Sequence, residues 1–329
     1  MKNYIVITSI NPPSKSIKSF AKLKDYDLLV VGDKKTPLDW QYKGVKFISV
    51  MEQSKSSFKL TEKLPFNHYS RKMIGYLEAI KSGADYIIDT DDDNIPYDTF
   101  NFPSFEGTFD FIKKDCGFIN IYQFFTDMKI WPRGLPLHLI KNDFKTQLKI
   151  EKKTAKVGIW QGLADNDPDV DAIYRLTSDS PCVFNKRQPI VLDVNTICPF
   201  NTQNTKIIKD LFPLLYLPSS VTFRYTDILR GLIAQPIMWQ YGYLLGFSEA
   251  TVTQERNPHD YFKDFISEIP MFLTCEKVIE TVSAALNPNA GLSDNLYNSY
   301  EALLKEKIVD SSELICLEAW ISDLEKIDK

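Results

Sequence analysis

The chain has 329 residues, and its 44% hydrophobic and 25% charged side chains exclude a disordered or fibrous protein. Its 39 lysines and arginines against 43 aspartates and glutamates give a net charge of −4. This balance argues against nucleic-acid binding, because there is no basic field to hold a phosphate backbone.

The cysteines are odd in number and lack any Cys-x-x-Cys spacing: Cys116, Cys182, Cys198, Cys275 and Cys316. This pattern predicts buried free thiols in a reducing compartment. The first residues are typical of a strand rather than a signal peptide, and no apolar stretch is long enough to cross a bilayer. We therefore expect a cytoplasmic protein without a membrane span, which leaves room for peripheral association.

The first hundred residues alternate between strand-like and helix-like periodicity. The predicted elements are strands Tyr4–Ile10, Asp27–Val31, Val45–Val50 and Asp85–Ile88, a helix ending near Lys24, and a helix Asn67–Ser82. Such alternation with short connections predicts a mainly parallel sheet covered by helices.

Later segments change in character. Aromatic-rich, strand-like sequence at Phe109–Phe125 and a turn at Trp131–Gly134 predict an antiparallel extension of the sheet. After Pro258 the pattern predicts helices, among them Glu276–Leu286, Asp294–Lys305 and Ser311–Ile327. We interpret 1–258 as one catalytic domain, in which 1–100 bind the nucleotide and 101–258 form the acceptor side, and 259–329 as a helical C-terminal cap.

The acidic run Asp91–Asp93 directly follows a buried strand. Ligands of open α/β sheets bind at the carboxyl ends of the strands, so these carboxylates are expected at the ligand-binding edge. Crowded carboxylates repel one another, whereas Mg²⁺ or Mn²⁺ accepts a few of them and shares its other positions with phosphate oxygens. We expect Asp91 and Asp93 to bind such a cation. His259 is either a further metal ligand or a capping or surface histidine.

Other polar residues are expected at the same edge. Thr8, Asn11 and Asp33 follow the first two strands and could reach a base and ribose, although Gly32-Asp33 alone is also typical of a turn. A cation at a helix start is unfavourable unless an anion lies nearby. Arg71 is therefore expected to bind the diphosphate together with Asp91 and Asp92, and Lys72 is expected to be solvated.

A segment that combines aromatic, acidic and turn-forming residues, 158–175, is typical of a sugar site. Its alternatives are a calcium-like acidic loop or a solvated turn. Expected substrate contacts are Trp160, Gln161, Asp167 and Arg230, and the candidate proton acceptors are Asp169, Asp171 and Asp227. An ordinary ion pair within one helix is the alternative for Asp227 and Arg230.

In several of these motifs the chain resembles the STELLO glycosyltransferase family, and more remotely the reversibly glycosylated polypeptides, which are UDP-arabinopyranose mutases. The matching motifs are Ile10–Pro13, Val31–Pro37, Arg71–Tyr76, Asp91–Asp93, Gln161–Ala172, Arg224–Gly231 and Gln254–His259. The resemblance implies a GT-A-type α/β fold. Similarity of Trp131–Gly134 to an Arg-Gly element of the mutases makes Arg133 a further candidate substrate contact.

Together these observations lead us to expect a metal-dependent glycosyltransferase acting in surface polysaccharide synthesis. It would move a sugar from a nucleotide sugar, in the first instance a UDP-sugar, to a glycan, a lipid-linked acceptor or another hydroxyl. A nucleotide-sugar mutase and a non-catalytic scaffold of a polysaccharide synthase are the alternatives.

Overall fold

The structure is a computed structural model, which describes residues 2–112 and 117–327. Its strands are β1 Asn3–Thr8, β2 Asp27–Val31, β3 Val45–Ile48, β4 Tyr86–Thr90, β5 Asn94–Pro96, β6 Glu106–Ile112, β7 Gly117–Phe118, β8 Ile150–Asp165, β9 Ile190–Leu192, β10 Thr196–Ile197, β11 Asn204–Ile208 and β12 Leu244–Gln254. The helices are α1 Lys15–Phe20, α2 Val50–Ser54, α3 Leu60–Lys63, α4 Lys72–Lys81, α5 Phe144–Gln147, α6 Ala172–Thr177, α7 Thr226–Gln240, α8 Tyr261–Ala285, α9 Leu292–Lys305 and α10 Ser311–Ile327.

One large mixed sheet organises the molecule, in the order β3-β2-β1-β4-β11-β8-β6-β9-β12-β5. The first four of these strands are parallel, with Thr8 opposite Val31 and Val6 opposite Asp89. β11 then enters antiparallel to both β4 and β8, and β6 is antiparallel to β8. The expected α/β fold with an antiparallel extension is confirmed.

Both faces of the parallel strands are buried, which explains their nearly continuous apolar sequences. Val6 points into one core and Ile5 and Ile7 into the other, because successive side chains of a strand alternate between faces. Helix α4 packs closely on β1 and β2 at Gly75, where an added Cβ would lie 2.6 Å from Val6 Cγ1. The helix therefore needs a glycine at this position.

Several predicted boundaries differ from the structure. The helix predicted over Asn67–Ser82 begins at Lys72 as α4, after a 3-10 turn at Tyr69–Arg71. The strand-like segment Phe109–Phe125 continues past β7 as a 3-10 turn, Ile121–Phe124, because the Asn120 side chain accepts the Tyr122 N–H at 3.2 Å. Four residues of that segment, 113–116 with Cys116, lie outside the described residues. The first C-terminal helix begins at Tyr261 rather than near Glu276, since Asp260 caps it by accepting two backbone N–H groups.

Buried carboxylates attach the C-terminal helices to the rest of the chain. Asp323 of α10 accepts the N–H groups of Lys59 and Leu60 at 2.9 and 2.8 Å, and Glu313 accepts that of Ser220 at 2.7 Å. The division into 1–258 and 259–329 stays a prediction. Within the described ranges, no helix combines the length and apolar character needed to cross a membrane. The described cysteines are buried and free: Cys182, Cys198, Cys275 and Cys316.

Candidate active site

A pocket of about 590 Å³ opens where β1, β2 and β4 end. The parallel register aligns these strand ends, so the residues that follow them meet at one edge of the sheet. Ten residues singled out in the sequence line this pocket: Thr8, Asn11, Asp33, Asp91, Asp92, Asp93, Arg133, Asp169, Asp227 and His259.

Asp92 connects the acidic turn to the loop after β1. The hydroxyl of Ser9 and the amide of Asn11, the latter at 3.0 Å, both donate to its Oδ2 atom. The Ser14 hydroxyl donates to the Asp92 carbonyl oxygen at 2.6 Å. One oxygen of Asp92 is thus occupied by holding the turn in place.

Asp91 is held from below by Tyr69 and Lys72. The Tyr69 hydroxyl donates to Asp91 Oδ1, and the Lys72 ammonium lies 3.2 Å from the same atom. Lys72 is fully buried and also pairs with Asp89 at 2.6 Å, so the expectation of a solvated Lys72 is wrong. The Lys72 ammonium also donates to the Thr90 carbonyl oxygen at the end of β4, at 2.6 Å. Burial raises the pKa of Asp91, and the charge of Lys72 opposes that effect.

Asp93 receives two hydrogen bonds but no matching charge. Gln254 Nε2 lies 3.1 Å from each of its carboxylate oxygens. No Lys, Arg or His nitrogen of the described residues lies within 4.0 Å of this carboxylate. Burial, and then the charges of Asp91 and Asp92, raise the pKa of Asp93 to about 7. A nearby positive charge would relieve this repulsion.

The predicted metal ligands do not form a preformed cage. In the portion of the chain that the structure describes, no three His, Cys, Asp or Glu side chains converge as a metal site. His259 lines the pocket, but its Nδ1 atom lies 2.9 Å from Asp264 Oδ2. The protein alone thus offers a cation the carboxylates of Asp91 and Asp93, which are hard oxygen donors suited to Mg²⁺ or Mn²⁺.

Arg133 forms a buried cluster with Asp169 and Asp227 in the opposite wall of the pocket. Its guanidinium meets Asp227 at 3.0 and 2.9 Å and Asp169 at 2.8 and 2.7 Å. Burial alone would raise the pKa of Asp227, but Arg133 outweighs burial and holds that pKa below its usual value. Asp227 is therefore ionised at neutral pH and is better suited to accepting hydrogen bonds than protons.

Asp171 and Arg71 lie outside the pocket wall. Asp171 is the N-cap of α6, where it accepts the Tyr174 N–H at 2.9 Å and the Trp131 indole N–H at 2.6 Å. Burial raises the pKa of Asp171 to about 6. Arg71 donates to Gln53 and to the Leu64 carbonyl oxygen, the latter at 3.1 Å. Both side chains are thus enclosed by hydrogen bonds of the fold.

Trp160, Gln161, Asp167 and Arg230 are likewise absent from the pocket lining. Trp160 and Gln161 belong to β8, which pairs with β11 and β12 inside the sheet, and both side chains are buried. Asp167 pairs with Arg175 instead of facing a ligand. Arg230 pairs with Asp89 at 2.7 Å rather than with Asp227 of its own helix. Their assignment as substrate contacts stays a prediction, and none of these four residues lines this pocket.

Two arginines that were not selected from the sequence supply cations to the wall, Arg224 and Arg256. Arg224 is held by Glu268 at 2.8 Å and Arg256 by Asp264 at 3.3 Å. Both belong to motifs named in the sequence analysis, Arg224–Gly231 and Gln254–His259, but only the fold shows that they line the pocket. Other lining residues missed from the sequence come from separate segments: Ser9, Lys35, Asn67, His68, Tyr69, Thr202, Gln203, Phe223, Gln254 and Asn257.

Comparison with known proteins agrees with this architecture. A family model described as STELLO glycosyltransferases matches residues 224–328. Two proteins of Arabidopsis thaliana align with 98% of the chain: "Probable glycosyltransferase STELLO1", at 25% identity, and "Probable glycosyltransferase STELLO2", at 26%. The α/β fold, with its large mixed sheet and C-terminal helices, is GT-A-like. In sequence the chain is similar to the STELLO glycosyltransferases. It spans 44% of the length of each of these relatives.

Proposed function

We propose that the protein transfers a sugar from a nucleotide sugar, in the first instance a UDP-sugar, to a hydroxyl of a glycan or lipid-linked acceptor. The same proposal includes that the transfer depends on a divalent metal and that it serves surface polysaccharide synthesis. The observation that carries it is the pocket at the ends of β1, β2 and β4, where acidic and cationic residues face one space. Its volume of about 590 Å³ lies within the range of small-molecule sites.

The proposed donor occupies the edge of the parallel sheet. Thr8, Asn11 and Asp33 provide hydroxyl, amide and carboxylate groups for the nucleoside. Arg224 and Arg256 replace Arg71 as the cations for the diphosphate, because they line the pocket and Arg71 does not. Guanidinium groups suit phosphate oxygens through paired, charge-assisted hydrogen bonds.

Asp91 and Asp93 fit a divalent cation. Burial, and then the charges of Asp91 and Asp92, raise the pKa of Asp93 to about 7, and a bound cation would oppose both effects. The remaining positions of an octahedral ion would be filled by phosphate oxygens and water. When bound, the metal would neutralise the leaving diphosphate.

The reaction breaks the bond between the sugar C1 and the diphosphate oxygen and forms a bond from C1 to the acceptor oxygen. The acceptor proton is released, and the nucleoside diphosphate leaves with the electron pair. The protein positions both substrates and stabilises the departing charge. Asp169 and Asp227 provide carboxylate oxygens that can orient acceptor or donor hydroxyls, with Arg133 fixing their geometry.

A thermal-shift screen tests the donor. UDP, UDP-glucose, UDP-galactose, UDP-xylose and GDP-mannose are each added with Mn²⁺ or with a chelator. A nucleotide that binds only the folded protein raises the Tm, and the shift should require Mn²⁺. Absence of any nucleotide-dependent shift would overturn the proposal. A donor that is interconverted between ring forms without an acceptor would indicate mutase activity instead.

A further inference from the structure

Phe223 is an aromatic side chain left open at the pocket. Of the exposed large apolar side chains within the described residues, only Phe223 and Ile10 line the pocket. Phe223 is 57% exposed, in a turn just before α7. Leaving so much of a phenylalanine ring in water forgoes part of its burial free energy, so folding alone does not explain this placement.

The turn that carries Phe223 is fixed on both sides. The Thr222 hydroxyl donates to the Ser267 carbonyl oxygen at 2.5 Å, and the Arg224 N–H donates to the Ser267 hydroxyl at 3.3 Å. Arg224 is further held by Glu268 at 2.8 Å. The ring is thus exposed on a rigid support, which lowers the entropy that a ligand must overcome in using it.

The ring packs against Tyr69, whose hydroxyl lies between the acidic turn and the Arg133 cluster. It meets the Tyr69 ring edge-to-face, with centroids 5.8 Å apart and planes at 78°. Tyr69 donates to Asp91 and lies 2.6 Å from the Thr202 hydroxyl, which in turn lies 3.3 Å from Asp227. Phe223 therefore contacts Tyr69, and the Tyr69 hydroxyl in turn contacts both Asp91 and Thr202, the neighbour of Asp227.

We propose that Phe223 is the platform for the acceptor and that the acceptor presents a sugar ring. A pyranose offers an apolar C–H face to an aromatic ring and hydroxyls at its edge, which suits Phe223 beside the ionised Asp227. The sugar of the donor is tied to the diphosphate at Asp91 and Asp93, whereas an acceptor enters from solvent, where the Phe223 ring is open. This assignment rests on the proposed glycosyl transfer.

Saturation-transfer NMR on the full chain tests it directly. Methyl β-glycosides of glucose, galactose and xylose serve as acceptor probes in the presence of UDP and diamagnetic Mg²⁺, and UDP affinity is measured in parallel by calorimetry. The variants are Phe223→Ala and Phe223→Trp. Phe262→Ala is the matched control, because Phe262 is 70% exposed on α8 and does not line the pocket.

The expected result is saturation of the glycoside ring C–H protons in the wild type. Phe223→Ala should weaken glycoside binding about tenfold without changing the affinity for UDP, and Phe223→Trp should retain binding. Unchanged glycoside binding in Phe223→Ala, or an equal loss in Phe262→Ala, would overturn the platform. A wild type that binds UDP but no glycoside also overturns it and leaves the proposed donor site standing. Failure to bind UDP would contradict the UDP-sugar donor of the proposed function, on which this assignment rests.

Discussion

The two groups of carboxylates in the pocket differ in how their charge is compensated. At the strand ends, Asp91 shares one buried lysine and Asp93 has no cation within 4.0 Å among the described residues. In the opposite wall, Arg133 binds both Asp169 and Asp227 through its guanidinium. The pKa of Asp93 is accordingly raised and that of Asp227 is lowered. In the first group one lysine serves Asp91 and none serves Asp93, which suits a site for a further cation. In the second group one guanidinium already pairs with both carboxylates, which suits a fixed polar wall.

The largest expected effect comes from breaking the compensated group. Arg133→Met should lower the free energy of unfolding by about 3–5 kcal/mol, because it removes the guanidinium that pairs with both buried carboxylates. Urea unfolding at pH 7 measures this change. Arg187→Met is the matched control, since Arg187 and Asp110 form a partly exposed pair at 2.8 Å, and it should cost about 1 kcal/mol or less. Equal losses in the two variants would contradict the comparison.

Breaking the uncompensated group should affect binding instead of folding. Asp93→Ala should reduce Mn²⁺-dependent affinity for UDP about 100-fold or more and leave the unfolding transition nearly unchanged. Calorimetry with UDP, with and without Mn²⁺, measures the loss. Undiminished Mn²⁺-dependent binding would remove Asp93 from the metal site.

Asp171 is a third kind of carboxylate, because it is buried in the fold and does not line the pocket. Its pKa is raised from 3.8 to about 6 by burial, so the folded state favours the protonated form. The stability that this group contributes is present below pH 3.8 and is lost as pH rises through 6. Relative to wild type, Asp171→Asn should therefore gain about 2 kcal/mol between pH 4.5 and pH 7. Denaturant unfolding at both pH values measures it, and a constant difference would contradict the assigned burial.

The smallest predicted effect distinguishes two arginines. Arg256→Gln should weaken UDP binding about tenfold, because it removes a cation from the pocket wall. Arg71→Gln should lower stability through the lost hydrogen bonds to Gln53 and Leu64, with UDP affinity retained. Calorimetry and unfolding of both variants test this contrast. The reverse pattern would restore the diphosphate role expected of Arg71 from the sequence.

The hydrophobic periodicity of the sequence predicted the part of the site that lies at the ends of the parallel strands. Because each strand and its following helix differ in hydrophobic period, the ends of β1, β2 and β4 could be located, and with them Asn11, Asp33 and the run Asp91–Asp93. The register of parallel strands then requires these ends to share one edge. The sequence by itself therefore determined the α/β class and this acidic edge.

Only the tertiary structure decided the rest, because those contacts join segments far apart in the chain. Arg133 meets Asp227 across 94 positions, and Arg230 pairs with Asp89 across 141 instead of with Asp227 one helical turn away. Trp160 fits a sugar site in composition, but β8 lies inside the sheet and its side chain is buried. Position at the start of the helix favoured Arg71 over Lys72, but it does not show which side chain lies next to Asp91. In the structure the buried Lys72 contacts Asp91.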